Sequence, residues 1–118
     1  MDYPISSKQL DLVNRVESLL QSNYQNPDLS VQDVSLALHF ESSYIRRIYK
    51  THTDKTIIQR LEVIRIEKAC DLLVNTEMKL SETAEKVGYS NQFYFSRRFK
   101  LFTSLSPSEY RERYMSHS

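Results

Sequence analysis

The residues best equipped for chemistry in this chain fall in two segments fifty positions apart: Tyr44-Ile45-Arg46-Arg47-Ile48-Tyr49-Lys50 and Tyr94-Phe95-Ser96-Arg97-Arg98-Phe99-Lys100. A guanidinium forks onto phosphate oxygens or onto guanine O6 and N7, and a lysine adds a mobile point charge. In both segments Tyr, Arg and Lys recur in one register, with bulky apolar residues at matching places. On a helix of about 3.6 residues per turn, positions i, i+3, i+4 and i+7 share a face. That rule puts Ser43, Arg46, Arg47 and Lys50 on one side of the first segment and Ile45, Ile48 and Tyr49 on the other. In the second it sets Phe93, Ser96, Arg97 and Lys100 against Phe95, Phe99 and Phe102. A basic-faced helix built twice is suited to dock twice on a regular polyanion, and duplex DNA is the obvious candidate.

Base-edge reading is expected from Arg46, Arg47 and Arg97, with Ser43, Ser96 and Gln92 beside them. Phe93 lies on the same stripe, where its ring either packs on a thymine methyl or is partly buried. Lys50 and Lys100, at the far ends of these faces, suit phosphate contacts. Ser42, Ser90 and Asn91 read first as helix caps, and helix N-termini also hold phosphate. The net charge is only +1. Residues 42–53 and 90–105, however, hold six Lys/Arg and no Asp or Glu, leaving ten basic and fifteen acidic residues elsewhere. Such a local basic footprint matters more for phosphate contact than the whole-chain sum. The rival reading is a helical protein-interaction module whose basic faces meet an acidic partner. The absence of acids among the arginines favours DNA.

Other chemistry finds little footing. With one Gly there is no glycine-rich phosphate loop, and no nucleophile elbow occurs, so neither an enzyme nor a bound cofactor is expected. His39, His52 and His117 stand in unrelated settings with a single cysteine, which gives no metal-ligand spacing. Cys70, amid a helical apolar pattern, reads as a buried structural thiol and excludes a disulfide framework. No apolar run approaches the eighteen or so residues of a membrane span, and nothing resembles a signal peptide, so cytoplasmic residence is expected.

One Gly and three Pro argue against a turn-rich all-β fold, and the expected class is all-α with about seven helices. Leu12, Val13, Val16, Leu19 and Leu20 stripe a first helix over Ser7–Tyr24 that should serve as a packing element. Ser30 with Asp33 makes a capping-box pattern for a short helix burying Val31, Val34 and Leu38. After His39-Phe40-Glu41, Ser42 reads as the N-cap of the first basic helix, giving the helix-turn-helix plan. Thr56, with Gln59 three residues on, opens the longest helix, running to about Leu73–Asn75. Ile57, Ile58, Leu61, Ile64, Ala69, Leu72 and Leu73 surround it, so it should be largely buried. Its length of about 28 Å is close to the roughly 34 Å between successive major grooves. The plan then repeats: Leu80, Ala84 and Val87, a turn at Gly88-Tyr89, and the second basic helix. Ser106-Pro107-Ser108-Glu109 opens a closing helix with Tyr110 and Tyr114 inward, and Ser116, His117 and Ser118 should fray. The expected divisions are 1–55 (first helix and first helix-turn-helix unit), 56–76 (linker helix) and 77–118 (second unit and closing helix). In this pairing Phe40 answers to Tyr89, Tyr49 to Phe99 and Thr56 to Ser106.

The stretch from Ala84-Glu85-Lys86-Val87-Gly88-Tyr89-Ser90-Asn91-Gln92-Phe93 through Lys100, closed by Ser106-Pro107-Ser108-Glu109-Tyr110-Arg111, resembles the signature of AraC/XylS-type bacterial transcription regulators. Arg65-Ile66-Glu67-Lys68-Ala69 with Leu72-Leu73 resembles that family's linker helix. The resemblance covers roughly Asp28 to Arg113. It implies two homeodomain-like helix-turn-helix units joined by a linker helix, with two recognition helices entering adjacent major grooves. It places base reading on Ser43, Arg46, Arg47, Gln92, Phe93, Ser96 and Arg97. RNA polymerase is the implied protein partner, and a sensor, receiver or dimerisation domain the implied neighbour in a longer chain. Some positions depart from the pattern. His39 replaces the usual glycine of the first turn, Asp54 and Ser104 stand where glycine often follows each recognition helix, Thr83 occupies an aliphatic site and Lys79 a capping site.

Overall fold

The computed structural model describes residues 6–115 and, among them, contains seven helices and no strand. They are α1 (Ser7–Asn23), α2 (Val31–Leu38), α3 (Ser42–Thr53), α4 (Ile57–Asn75), α5 (Leu80–Lys86), α6 (Gln92–Thr103) and α7 (Pro107–Tyr114). The expected fraying at 116–118 lies outside the described residues. The chain divides into two compact units. One comprises α1 and Asp28–Glu62, and the other Tyr24–Pro27 with the chain from Val63 onward.

In the first unit α1 packs on α2 and α3. Its buried apolar side chains are Leu12, Val16 and Leu20 from α1, Val31, Val34 and Leu38 from α2, Ile45, Ile48 and Tyr49 from α3, and Ile57 and Leu61 from α4. Each such aliphatic residue contributes about 1.5–3 kcal/mol by leaving water. Ser30 caps α2 with the full capping box: its hydroxyl accepts from the Asp33 amide, and the Asp33 carboxylate accepts from the Ser30 amide. Thr56 and Gln59 exchange the same two bonds ahead of α4. Ser42 is not the cap of α3. Glu41 occupies that place without a side-chain bond, while the Ser42 hydroxyl turns back to Gln32 Oε1 (2.9 Å) and Ser35 Oγ (3.1 Å) on α2. The α2–α3 turn passes through His39 in the left-handed region (φ 61°), a conformation an exposed histidine tolerates at some cost.

The second unit is built on aromatic rings. Phe95 and Phe99 are fully buried among Ile66, Ala69, Leu73, Ala84, Val87 and Tyr89. Successive centroids from Tyr89 to Phe95, Phe99 and Tyr110 lie 5.2, 5.7 and 5.3 Å apart in tilted or edge-on pairs, the arrangement ring quadrupoles favour. Thr83, buried at an apolar position, satisfies its hydroxyl by donating to the Lys79 carbonyl. Lys79 precedes α5 without a side-chain cap, whereas Ser106 and Glu109 close a complete capping box on α7 with Pro107 at its start. The turn before α6 is drawn in by Gly88 (φ 98°): a Cβ there would sit 2.3 Å from the Tyr24 carbonyl oxygen and 2.7 Å from Arg65 Nε.

Three side chains expected inside are outside. Ile58 is 51% exposed because it shares a helix face with Glu62 and Arg65, whereas Ile57 points with Leu61 and Ile64. Phe102 (44%) lies one turn past Phe99 at the end of α6, where Arg98 rests over its ring at 5.8 Å. Tyr114 (53%) lies in the last turn of α7 and only leans on Tyr110, 4.7 Å away. Phe40 is exposed while its counterpart Tyr89 is buried, so the two copies differ most at their turns.

Candidate nucleic-acid interface

The amphipathic division of α3 is realised in the folded unit. Ile45, Ile48 and Tyr49 are buried, and Ser43, Arg46, Arg47 and Lys50 are all exposed. These four, with Val31, Thr56, Ile57 and Ile58, line an open cleft of about 680 Å³. Ile58 therefore places an apolar patch beside the arginines. Its polar neighbours at 62 and 65 were the sequence signal that it lies outside the core. Lys50 Nζ donates to the Asp54 carbonyl (3.2 Å), a C-terminal carbonyl with no helical partner, so part of its bonding capacity is used within the helix end. Ser42 is half-buried and committed to α2, as described above.

Beneath α3, Glu17 of α1 ties the unit together. Its carboxylate accepts from Arg60 Nε (2.9 Å) and Arg60 Nη2 (2.6 Å), and from the Tyr49 hydroxyl at 3.4 Å. The Arg60 hydrogen bond holds Glu17 below the usual carboxylate range, against the opposing effect of partial burial. Burial first, and then the Glu17 charge, pushes the Tyr49 phenol up to about 12, so it remains a neutral donor. Both groups act on the buried side of α3. Their effect is to fix the helix whose opposite face carries the arginines.

On α6 the same division holds. Phe95 and Phe99 are buried, Phe93 (73%), Arg97 and Lys100 are exposed, and Gln92 and Ser96 are half-buried on the same side. Phe93 is thus an outward-facing ring. Asn91, rather than Ser90, caps the helix, its side-chain oxygen accepting from the Tyr94 amide (2.9 Å). Ser90 is exposed just before that end of the helix. Behind the helix, Arg65 donates from Nε to the Tyr24 carbonyl (2.9 Å) and from Nη2 to the Asn26 carbonyl (2.7 Å), and lies 5.9 Å from the Tyr89 ring. Arg111 Nε caps the end of α4 at the Leu73 carbonyl. Cys70 is half-buried and burial raises its thiol, while a hydrogen bond to that sulfur pushes Tyr110 up to about 12. These groups support the aromatic core.

Two ring contacts went unread in the sequence. Arg47 Cζ stands 5.4 Å from the Tyr44 ring centroid, and Arg97 Cζ 5.8 Å from that of Tyr94. The signal was a Tyr three residues ahead of an Arg in both copies. Among the described residues no cluster of His, Cys, Asp and Glu is arranged to hold a metal ion, and no helix is long and apolar enough to cross a membrane.

Residues 34–113 match the model of a family described as helix-turn-helix domain. The C-terminal domain of AraT, a response regulator from Geobacillus stearothermophilus, shares 34% identity with a TM-score of 0.89, the match covering 98% of this chain and 93% of that one. The chain belongs to the AraC-type helix-turn-helix domains. This is a family of DNA-binding domains of transcription regulators rather than of enzymes. The raffinose operon transcriptional regulatory protein RafR of Pediococcus pentosaceus is 32% identical over 108 residues, which cover 92% of this chain and 39% of that protein. The chain spans under two fifths of the length of RafR and of two further curated regulators. The DNA-binding domain of AdpA, solved in complex with a target DNA, shares the fold (TM-score 0.80, 19% identity, 86% of this chain and 91% of that one). In this AraC-type domain all seven helices expected from the sequence are present, and both basic stripes lie on exposed faces.

Proposed function

We propose that this AraC-type domain is the sequence-reading end of a longer bacterial, cytoplasmic transcription regulator, and that α3 and α6 enter successive major grooves of duplex DNA. The observation that carries the reading is the recurrence of one stripe. The second helix of both helix-turn-helix units presents Arg and Lys from the same positions, opposite its buried apolar side, in segments free of Asp and Glu. Ser43, Arg46 and Arg47 read bases in one groove, and Gln92, Phe93, Ser96 and Arg97 in the next. Lys50, Lys100, Ser90 and Asn91 grip phosphate, with Ser90, Asn91 and the α6 N-terminus offering a phosphate seat that the helix dipole favours; Ser42, turned back onto α2, does not join them. The linker role falls to residues 56–76, between a first unit at 1–55 and a second at 77–118. The 19 residues of α4 make a rod of about 28 Å, near the roughly 34 Å groove repeat. A sensor, receiver or dimerisation domain in the parent chain supplies the signal, and RNA polymerase is the protein partner.

Titration of a fluorescent duplex against salt tests this. Six to eight neutralised phosphates predict log K falling with log salt at a slope of about −5 to −7. Undetectable duplex binding at low salt overturns the reading. Sequences selected from a random duplex pool should converge on an asymmetric site, since the two reading faces differ.

A further inference from the structure

We propose that Tyr44 and Tyr94 are positioning residues for DNA recognition, each ring a ledge that holds the guanidinium of Arg47 or Arg97 ready for the groove. The proposal rests on the DNA-reading function above. Its evidence is a geometry that occurs twice. In both copies a Tyr precedes an Arg of the basic face by three residues, and the Arg folds back over the ring at 5.4 Å in α3 and 5.8 Å in α6. Residues i and i+3 are neighbours on a helix surface, so the contact costs no distortion of the backbone.

Stacking is well suited to this task. It occupies the flat face of the guanidinium and leaves the N–H donors, which lie in its plane, free to fork onto a base edge or a phosphate. An arginine free to sample its many rotamers loses that freedom on binding, and a ledge reduces the loss beforehand. The ledges are themselves held. Tyr44 stacks on Phe40 with centroids 5.6 Å apart and planes 26° apart. Tyr94 leans on Tyr89 at 6.1 Å, and Tyr89 is a buried core ring. Arg98 shows the contrast. It rests on Phe102, four residues later, and lies outside the Phe93–Ser96–Arg97–Lys100 stripe.

A double-mutant cycle in the full chain, read as the dissociation constant for a duplex selected from the random pool, tests the proposal. A cation–π ledge at an exposed site is worth about a two- to fivefold change in affinity. Tyr94→Leu should therefore weaken binding by about that factor in the parent background and by nothing once Arg97 is replaced by Ala. Tyr44→Leu should behave likewise against Arg47→Ala, and the two Leu substitutions together should cost about four- to twenty-five-fold. Phe at either position should recover what Leu loses. Equal losses for Phe and Leu would make the hydroxyl, not the ring, the contact and overturn the proposal. So would a Tyr→Leu loss that persists without its arginine, the result expected of a purely structural role. If Tyr94→Leu compromises folding through Tyr89, the Tyr44 cycle decides, since Tyr44 stacks on the exposed Phe40. Parent protein that binds with the expected salt slope but shows no coupling in the cycles rejects the ledges and leaves the DNA reading standing.

Discussion

Replacing Gly88 by Ala should be among the most damaging single-methyl changes available in this chain. Its φ of 98° lies beyond the left-handed region near 57° that L residues visit, which alone costs about 1–2 kcal/mol. The added Cβ would meet the Tyr24 carbonyl oxygen at 2.3 Å, far inside contact distance, and Arg65 Nε at 2.7 Å. Backbone must then move, and the atom that moves is the one accepting the 2.9 Å bond from Arg65 Nε. A hydrogen bond to a charged group contributes about 1.5–3 kcal/mol. The two effects sum to roughly 2.5–5 kcal/mol. Chains of this size have a total stability of about 6–18 kcal/mol.

Thermal unfolding followed by far-ultraviolet circular dichroism should show the Ala variant melting about 10 °C or more below the parent. An Asn variant separates the two causes, because Asn tolerates positive φ better than Ala yet carries the same Cβ. If the clash dominates, Asn recovers little of the loss. A loss of less than about 1 kcal/mol for Ala would refute the reasoning.

Ser104→Gly, at a left-handed cap (φ 69°) where nothing favours a side chain, should raise stability by about 0.5–1 kcal/mol in urea denaturation. A decrease would show that the Ser104 backbone carries no strain. Glu17 is held below its usual value of 4.5 mainly by Arg60, so its contribution is complete above that value and is lost as pH falls through the lowered one. The stability gap between parent and Glu17→Gln should accordingly be constant near neutrality and close below about pH 4.5; partial exposure keeps it small. Arg97→Ala should cost about 1–3 kcal/mol of binding and relax preference at one base pair, whereas a uniform loss over all duplexes would make Arg97 a phosphate contact.

Much of the fold was legible because its signals are local. Capping boxes at Ser30 and Ser106, the Thr56–Gln59 pair and the apolar stripes of α1, α2, α3 and α6 each follow from spacing alone, and each is present. What misled was burial near helix ends. Phe102 and Tyr114 lie at the correct spacing for the core but a turn too late, where the neighbouring elements have already ended. Ile58 illustrates a different limit, since apolar residues around most of the α4 circumference mask the one face that Ile58 shares with Glu62 and Arg65. Ser42 was misassigned because a serine before a basic helix looks the same whether it caps that helix or bonds across to Ser35. The outward stripes were legible from period, but the Tyr ledges were not, because a ring three residues from a guanidinium becomes a contact only through rotamers the sequence does not state.

The placement of the one glycine joins these points. His39, Asp54 and Ser104 all adopt φ between 60° and 69°, inside the left-handed well that an L side chain can occupy at modest cost, and each does so at an exposed helix end with room for a Cβ. Gly88 differs on both counts: its φ lies outside that well and a Cβ on it would run into the Tyr24 backbone. The first turn is thus loosely packed around exposed His39 and Phe40, while the second is drawn tight over Tyr24 and Arg65 with Tyr89 buried behind it. Repetition of a basic stripe therefore does not imply equal support for it. The ring behind Tyr94 is anchored in the core, and the ring behind Tyr44 is not. On the proposed mode of binding, Arg97 is the better preorganised of the two arginines, so truncating the Tyr94 ledge should cost more than truncating that of Tyr44.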